Sequence, residues 1–182
     1  LILSTGMSNE QEIDATVRFL KDKKAVFALL HTNSTYPTPL KDINLNYIDR
    51  LIRKYDVPIG YSGHDRGIMP TLYAVAKGAC IIERHITLDK NMEGPDHAAS
   101  LDISEFKQFM TNLRDLEISL GSQKSRTMTQ GEMINRENLS KSIYSAKNIK
   151  KGLRITRSML EVKSPGQGIS PQNISKIIGK KL

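Results

Sequence analysis

Val57-Pro58-Ile59-Gly60-Tyr61-Ser62-Gly63-His64 and Cys80-Ile81-Ile82-Glu83-Arg84-His85 are two short apolar runs that each end in histidine. The segment between them is too long for a hairpin. It has Pro70 at a first helical position, continues through Leu72, Ala74, Val75 and Ala76, and stops at Gly78, which predicts a helix. A strand, helix, strand unit of this kind makes a parallel pair buried on both faces, and both runs stay apolar until their last few residues. Polar residues confined to the strand ends predict a site at the carboxyl edge of the sheet, where open α/β sheets and TIM barrels alike keep their chemistry. Strand residues two apart share a face, so Ser62 is expected beside His64 and Glu83 beside His85.

Working outward, the same unit recurs. Leu1 to Thr5 reads as a strand end, Ser8 with Gln11 resembles a capping box, and Ile13, Val17 and Leu20 follow at helical spacing. Ala25 to Leu30 reads as the next strand, ending in His31, and Asn44 to Tyr55 as a helix with Leu45, Ile48, Leu51 and Ile52 on one face. A longer helix, Ile103 to Leu120, turns Phe106, Met110 and Leu113 inward and stops at Gly121. Four strand-helix units are half of an eight-stranded barrel, which needs about 250 residues when complete. The expectation is therefore an α/β fold, the second half of a TIM barrel in a fragment of a longer chain. The alternative is a small doubly wound domain complete with four strands.

Charge divides the chain. The net +8 conceals 17 Lys and Arg against 18 Asp and Glu in residues 1–139, and 10 against the single Glu161 in residues 140–182. Residues 122–139 are polar and without period, and read as a linker. Beyond them, Ser142 to Ala146 and Leu160 to Lys163 read as strands, Asn148 to Gly152 as a turn, and Pro171 to Ile178 as a short helix. The expected division is a partial barrel over 1–121, a linker over 122–139, and a small basic domain over 140–182. Cys80 is the one cysteine and is expected in the core, so there is no disulfide framework, and no signal peptide or membrane span is recognisable. The expected compartment is the cytoplasm.

Ser4-Thr5-Gly6-Met7, His31 through Tyr36-Pro37-Thr38-Pro39, Gly60-Tyr61-Ser62-Gly63-His64, Glu83-Arg84-His85-Ile86-Thr87-Leu88-Asp89 and Gly94-Pro95-Asp96-His97 occur in the order and near the spacing of the sialic acid synthases. The chain resembles that family, the nonulosonic acid synthases, from the fifth barrel strand into an antifreeze-like (SAF) domain. The resemblance implies condensation of phosphoenolpyruvate with an N-acetylated hexosamine such as N-acetylmannosamine, giving N-acetylneuraminate or a related nonulosonic acid and phosphate. It implies His64 and His85 as ligands of a divalent metal, Mn2+ first, with Mg2+ or Co2+ as alternatives. Imidazoles with open positions suit such an ion acting as a Lewis acid. Taken singly, each histidine is equally well a hydrogen-bonded strand-end residue.

The resemblance further implies Glu83 as the acid-base or orienting group beside the metal, unless it serves as the ion-pair partner of an Arg or Lys. Ser4, Ser62 and one of Asn33 and Ser34 fall where the family holds phosphoenolpyruvate, and Tyr36 and Asp96 where it holds the sugar. His31 is expected to position the loop after it, and His97 to lie at the pocket rim. Several bacterial members read Lys-Arg-Pro-Gly where this chain has Lys163-Ser164-Pro165-Gly166, and there the arginine reaches the sugar's N-acetyl group across a homodimer interface. Serine lacks that reach, which leaves open a diacetamido hexose, the precursor of legionaminic acid, as the acceptor. Two other readings compete. A basic tail can mark a nucleic-acid module, but Tyr144 is its one aromatic residue and it has no recognisable binding motif. A different metal-dependent barrel aldolase would keep both histidines without consuming phosphoenolpyruvate.

Overall fold

A computed structural model describes residues 1–182, which form two units, Leu1–Ser122 and Gln123–Leu182. In the first, four parallel strands, β1 (Ile2–Ser4), β2 (Ala28–Thr32), β3 (Ile59–Gly63) and β4 (Ile82–Arg84), are hydrogen-bonded in the order in which they occur. That order separates the two architectures. A doubly wound sheet reverses its strand order and carries helices on both faces, whereas successive right-handed crossovers in one direction put every helix on the same face. The result is the half-barrel sheet of a (β/α)8 fold.

The helices are α1 (Glu10–Asp22), α2 (Leu40–Ile43), α3 (Asn46–Lys54), α4 (Met69–Ala76) and α5 (Ile103–Leu120). Leu29, Ile59 and Tyr61 on one face of the sheet pack against Ile13 and Val17 of α1, Ile48 and Leu51 of α3, and Ala74 of α4. Ile48 and Leu51 are wholly buried, and each such side chain contributes about 1.5–3 kcal/mol of transfer free energy. Alternation along the strands sends Leu30, Thr32, Ser62 and Glu83 to the opposite face. Register aligns Thr32 with Ser62 and Ser62 with Glu83 across three neighbouring strands.

Several local expectations are corrected. The capping box of α1 is Asn9 with Glu12, one residue later than Ser8 with Gln11. The helix expected from Asn44 begins at Asn46, because Asn44 adopts a left-handed conformation (φ 48°, ψ 57°) that ends α2. The strand expected over residues 25–30 runs over 28–32, so His31 lies inside it, facing the helices. The last strand stops at Arg84, which leaves His85 just beyond it. Cys80 is exposed, with its thiol donating to the Ile59 carbonyl at 3.3 Å, because it precedes β4 at the uncovered edge of the sheet. Phe109 is the buried residue of α5, while Phe106, Met110 and Leu113 line a 740 Å³ cavity beside the same edge.

In the second unit, residues 130–139 of the expected linker form a helix, α6 (Gln130–Leu139), capped reciprocally by Thr129 and Glu132. Strands β5 (Ser142–Ser145) and β6 (Leu160–Lys163) pair antiparallel, Ser142 opposite Lys163. A 3₁₀ turn, Pro171–Lys176, takes the place of the last expected helix. No helix in the chain is long and apolar enough to cross a membrane.

Candidate active site

The tips of β3 and β4 bring His64 and His85 together, with ring centroids 5.2 Å apart and planes nearly perpendicular at 73°. Tyr36 completes an aromatic triangle, 4.1 Å from the His64 ring and 5.9 Å from that of His85. The loop that carries Tyr36 grips His64 at both ends. Asn33 O accepts from His64 Nδ1 at 2.8 Å, and Thr38 N donates to His64 O at 2.9 Å. A carbonyl can only accept, so Nδ1 carries the proton and neutral His64 keeps its Nε2 lone pair for a ligand. His64 is buried and His85 partly so.

Ser62 and Glu83 face each other on neighbouring strands, Ser62 Oγ donating to Glu83 Oε1 at 2.8 Å. Glu83 is exposed and pairs with no Lys or Arg of this chain. Asp96 lies with Oδ2 3.8 Å from His85 Nδ1, beyond hydrogen-bond range and half-exposed.

Asn33 and Ser34 separate in role. The Asn33 amide is spent within its loop, donating to Asp42 O at 3.2 Å and accepting from Thr35 N at 3.0 Å. Ser34 instead approaches the loop after β1. A Cβ on Gly6 would lie 2.2 Å from Ser34 Oγ, so only glycine permits that approach. Ser4 is exposed at the end of β1, level with Leu30, two strands from β3 and three from β4. The structure thus brings His64, His85 and Tyr36 together with Asp96 beside His85, pairs Ser62 with Glu83, and sets Ser34 against Gly6.

His31 is turned the other way. Its Nε2 donates to Ile43 O at 2.7 Å and its ring packs near Tyr47 and Tyr61. Burial pushes its pKa below the usual imidazole value, outweighing the backbone hydrogen bonds that raise it. His97 Nδ1 is hydrogen-bonded to Thr87 Oγ1 at 2.8 Å.

Sequence reasoning missed what lies directly behind the histidines. Arg84 Nη1 meets Asp65 Oδ2 at 2.8 Å with side chains 2% and 0% exposed, and Tyr61 OH donates to Asp65 Oδ1 at 2.5 Å. Burial, reinforced by that carboxylate, holds the Tyr61 phenol well above its usual pKa. Removing one partner of such a pair costs about 3–5 kcal/mol. A signal was present, because opposite charges adjoin the two histidines as His64-Asp65 and Arg84-His85 in otherwise apolar runs.

Could this site hold a metal? No three His, Cys, Asp or Glu side chains converge as a ready cage. The donor set is two imidazoles, one with its tautomer fixed, and this fits a hard or borderline divalent ion that keeps water or substrate oxygens in its other positions.

Comparison with known proteins gives the same fold. An N,N'-diacetyllegionaminic acid synthase of Legionella pneumophila is 37% identical over all of this chain and 52% of its own length. The N-acetylneuraminate-9-phosphate synthase of Homo sapiens is 36% identical over all of this chain and 51% of its own. A crystal structure of N-acetylneuraminic acid (sialic acid) synthetase from Leptospira borgpetersenii serovar Hardjo-bovis, in complex with citrate, superposes with a TM-score of 0.67 at 40% identity. That match covers 76% of this chain and 49% of the other. The chain thus spans about half the length of the curated relatives it matches. The SAF domain profile matches residues 140–182, the NeuB family profile matches residues 1–125, and the chain belongs to the NeuB family of nonulosonic acid synthases.

Proposed function

We propose that the protein condenses phosphoenolpyruvate with an N-acetylated hexosamine, giving a nonulosonic acid and phosphate. The observation that carries this reading is the His64–His85 pair under Tyr36 at adjacent strand tips, in a chain of this family. N-acetylmannosamine is the first acceptor to test. A diacetamido hexose is the second, since Ser164 stands in the second unit's Lys-Ser-Pro-Gly loop and relatives named for either product are about equally similar. By family likeness the working form is a cytoplasmic homodimer.

His64 and His85 would hold the divalent ion, Mn2+ by preference over Mg2+ or Co2+. When bound, it supplies Lewis-acid polarisation of a carbonyl oxygen. Ser4, Ser34 and Ser62 offer hydroxyl donors for the phosphate and carboxylate of phosphoenolpyruvate. Asn33 contributes through its carbonyl, which fixes His64. Tyr36 and Asp96 contact sugar hydroxyls, and the Tyr36 ring shields one side of His64 from water. Glu83, held by Ser62, orients the acceptor or moves a proton at its aldehyde oxygen. In the overall reaction, C3 of phosphoenolpyruvate forms a bond to the aldehyde carbon, whose oxygen becomes a hydroxyl. Water adds at C2, and the C2–O bond to phosphate breaks with the bonding electrons leaving on phosphate.

The test is phosphate release from phosphoenolpyruvate with Mn2+ and each sugar separately, using the full-length protein and His64→Ala. Release that requires one sugar and falls to background in the variant is the expected result. No release with either sugar from folded, metal-loaded protein overturns the proposal.

A further inference from the structure

Each candidate ligand has a charged neighbour, and those neighbours are bonded to each other on the helix side of the sheet. Asp65 follows His64, Arg84 precedes His85, and Arg84 closes on Asp65 twice. Nη1 donates to Asp65 Oδ2 at 2.8 Å and Nη2 to the Asp65 main-chain oxygen at 2.7 Å. Nη1 also donates to Thr71 Oγ1 at 3.0 Å, and Nη2 to Ala99 O at 3.3 Å. One guanidinium therefore ties the tip of β3, the first turn of α4 and the turn at residues 97–99, next to Asp96, to the end of β4.

We infer that the Arg84–Asp65 pair sets the separation and orientation of His64 and His85, making both positioning residues for the metal site. This rests on the metal reading proposed above. A buried ion pair is a poor way to gain stability, since a well-packed apolar pair of similar volume does as well or better. Its expense is visible here, because Arg84 Nε is buried without a partner. What the fork supplies instead is geometry. Holding both the carboxylate and the carbonyl of Asp65 fixes the peptide that joins it to the following chain, and through it the exit of His64 from β3. The planar guanidinium transmits that placement to the residue before His85.

Gly63 belongs to the same device. A Cβ there would lie 2.8 Å from Arg84 Nη1 and 2.9 Å from Asp65 Oδ1, so the pair can form behind β3 only where the residue between Ser62 and His64 has no side chain. Tyr61, on the same face, holds the second carboxylate oxygen.

Mn2+ binding provides a readout independent of turnover. Free Mn2+ is followed by electron paramagnetic resonance during titration of the full-length protein, and thermal unfolding checks each variant. Arg84→Lys keeps the charge without the fork, Asp65→Asn keeps the shape without the charge, and Gly63→Ala displaces the pair without removing either. Each is expected to weaken Mn2+ binding about tenfold to a hundredfold, the range for outer-shell partners. Folded Arg84→Lys and Asp65→Asn that bind within about twofold of wild type would overturn the inference, being well inside that range. If both fail to fold, Tyr61→Phe decides, since it removes one hydroxyl from Asp65: weaker Mn2+ binding supports the inference and unchanged binding overturns it. A wild-type protein that binds Mn2+ no better than His64→Ala sinks the metal reading itself, and the inference with it.

Discussion

The two units are held together by different means. Residues 1–122 bury a continuous set of aliphatic and aromatic side chains between one sheet face and its helices. In residues 123–182, only Ser142 and Ile155 are buried, and α6 buries nothing. That unit relies on main-chain and hydroxyl hydrogen bonds: Ile155 N to Lys180 O, Gly179 N to Ile155 O, Gly168 N to Ser142 Oγ. Such bonds contribute about 1 kcal/mol each net, against about 1.5–3 for a buried aliphatic side chain. Size and apolar content, more than hydrogen-bond count, therefore decide which unit can hold a buried polar pair such as Arg84 and Asp65. The site sits on the unit with the core.

The sharpest way to break this comparison is to open a cavity in the first unit. Leu51→Ala removes a wholly buried side chain and is expected to cost about 2–5 kcal/mol. Segment-resolved hydrogen exchange should show the loss across β2 and β3. A loss below about 1 kcal/mol would mean that the core is less tightly packed than its burial implies.

Ser142→Ala tests the second unit in its own terms. It leaves the Gly168 N–H without its acceptor, at an expected cost of about 1–3 kcal/mol, read as faster exchange at Gly168 and along β5. Unchanged exchange there would show that the hydroxyl is not what holds that loop.

The smallest effect concerns pH. All four histidines lie in the first unit, and His31 is kept neutral by burial, with its pKa below the value of 6.5 that it regains on unfolding. Between those two values the unfolded chain binds the extra proton. The stabilisation is therefore complete above about pH 6.5 and is lost as pH falls through the folded value. His31→Gln keeps a donor for Ile43 O and should flatten the fall in urea midpoint between pH 7 and 5. An identical slope in the variant would assign the effect to other groups.

Much of this was legible in the residues. Apolar runs ending in His64 and His85, with a Pro70-to-Gly78 helix between them, indicate parallel pairing and adjacent tips because strand alternation and crossover length leave few other arrangements. Errors fell where two local signals competed. Ser8 and Asn9 both suit a cap, but only Asn9 has its glutamate three residues later, at Glu12. Thr129 with Glu132 carried the same signal inside a stretch whose polarity suggested a linker. Asn44 looked like a helix start, yet its side chain tolerates the left-handed turn that separates α2 from α3.

By itself, the sequence determined the order of strands and helices, the histidine pair and the split between an apolar unit and a basic one, since periodicity and composition act over short range. Only the tertiary structure decided that Ser34 and not the Asn33 amide is free, that Ser62 bonds to Glu83, and that Arg84 locks onto Asp65 behind the histidines. Those choices depend on which loop is pressed against which strand tip. Spacing along the chain does not encode that contact, because side chains far apart in sequence meet only once the sheet and its helices have packed.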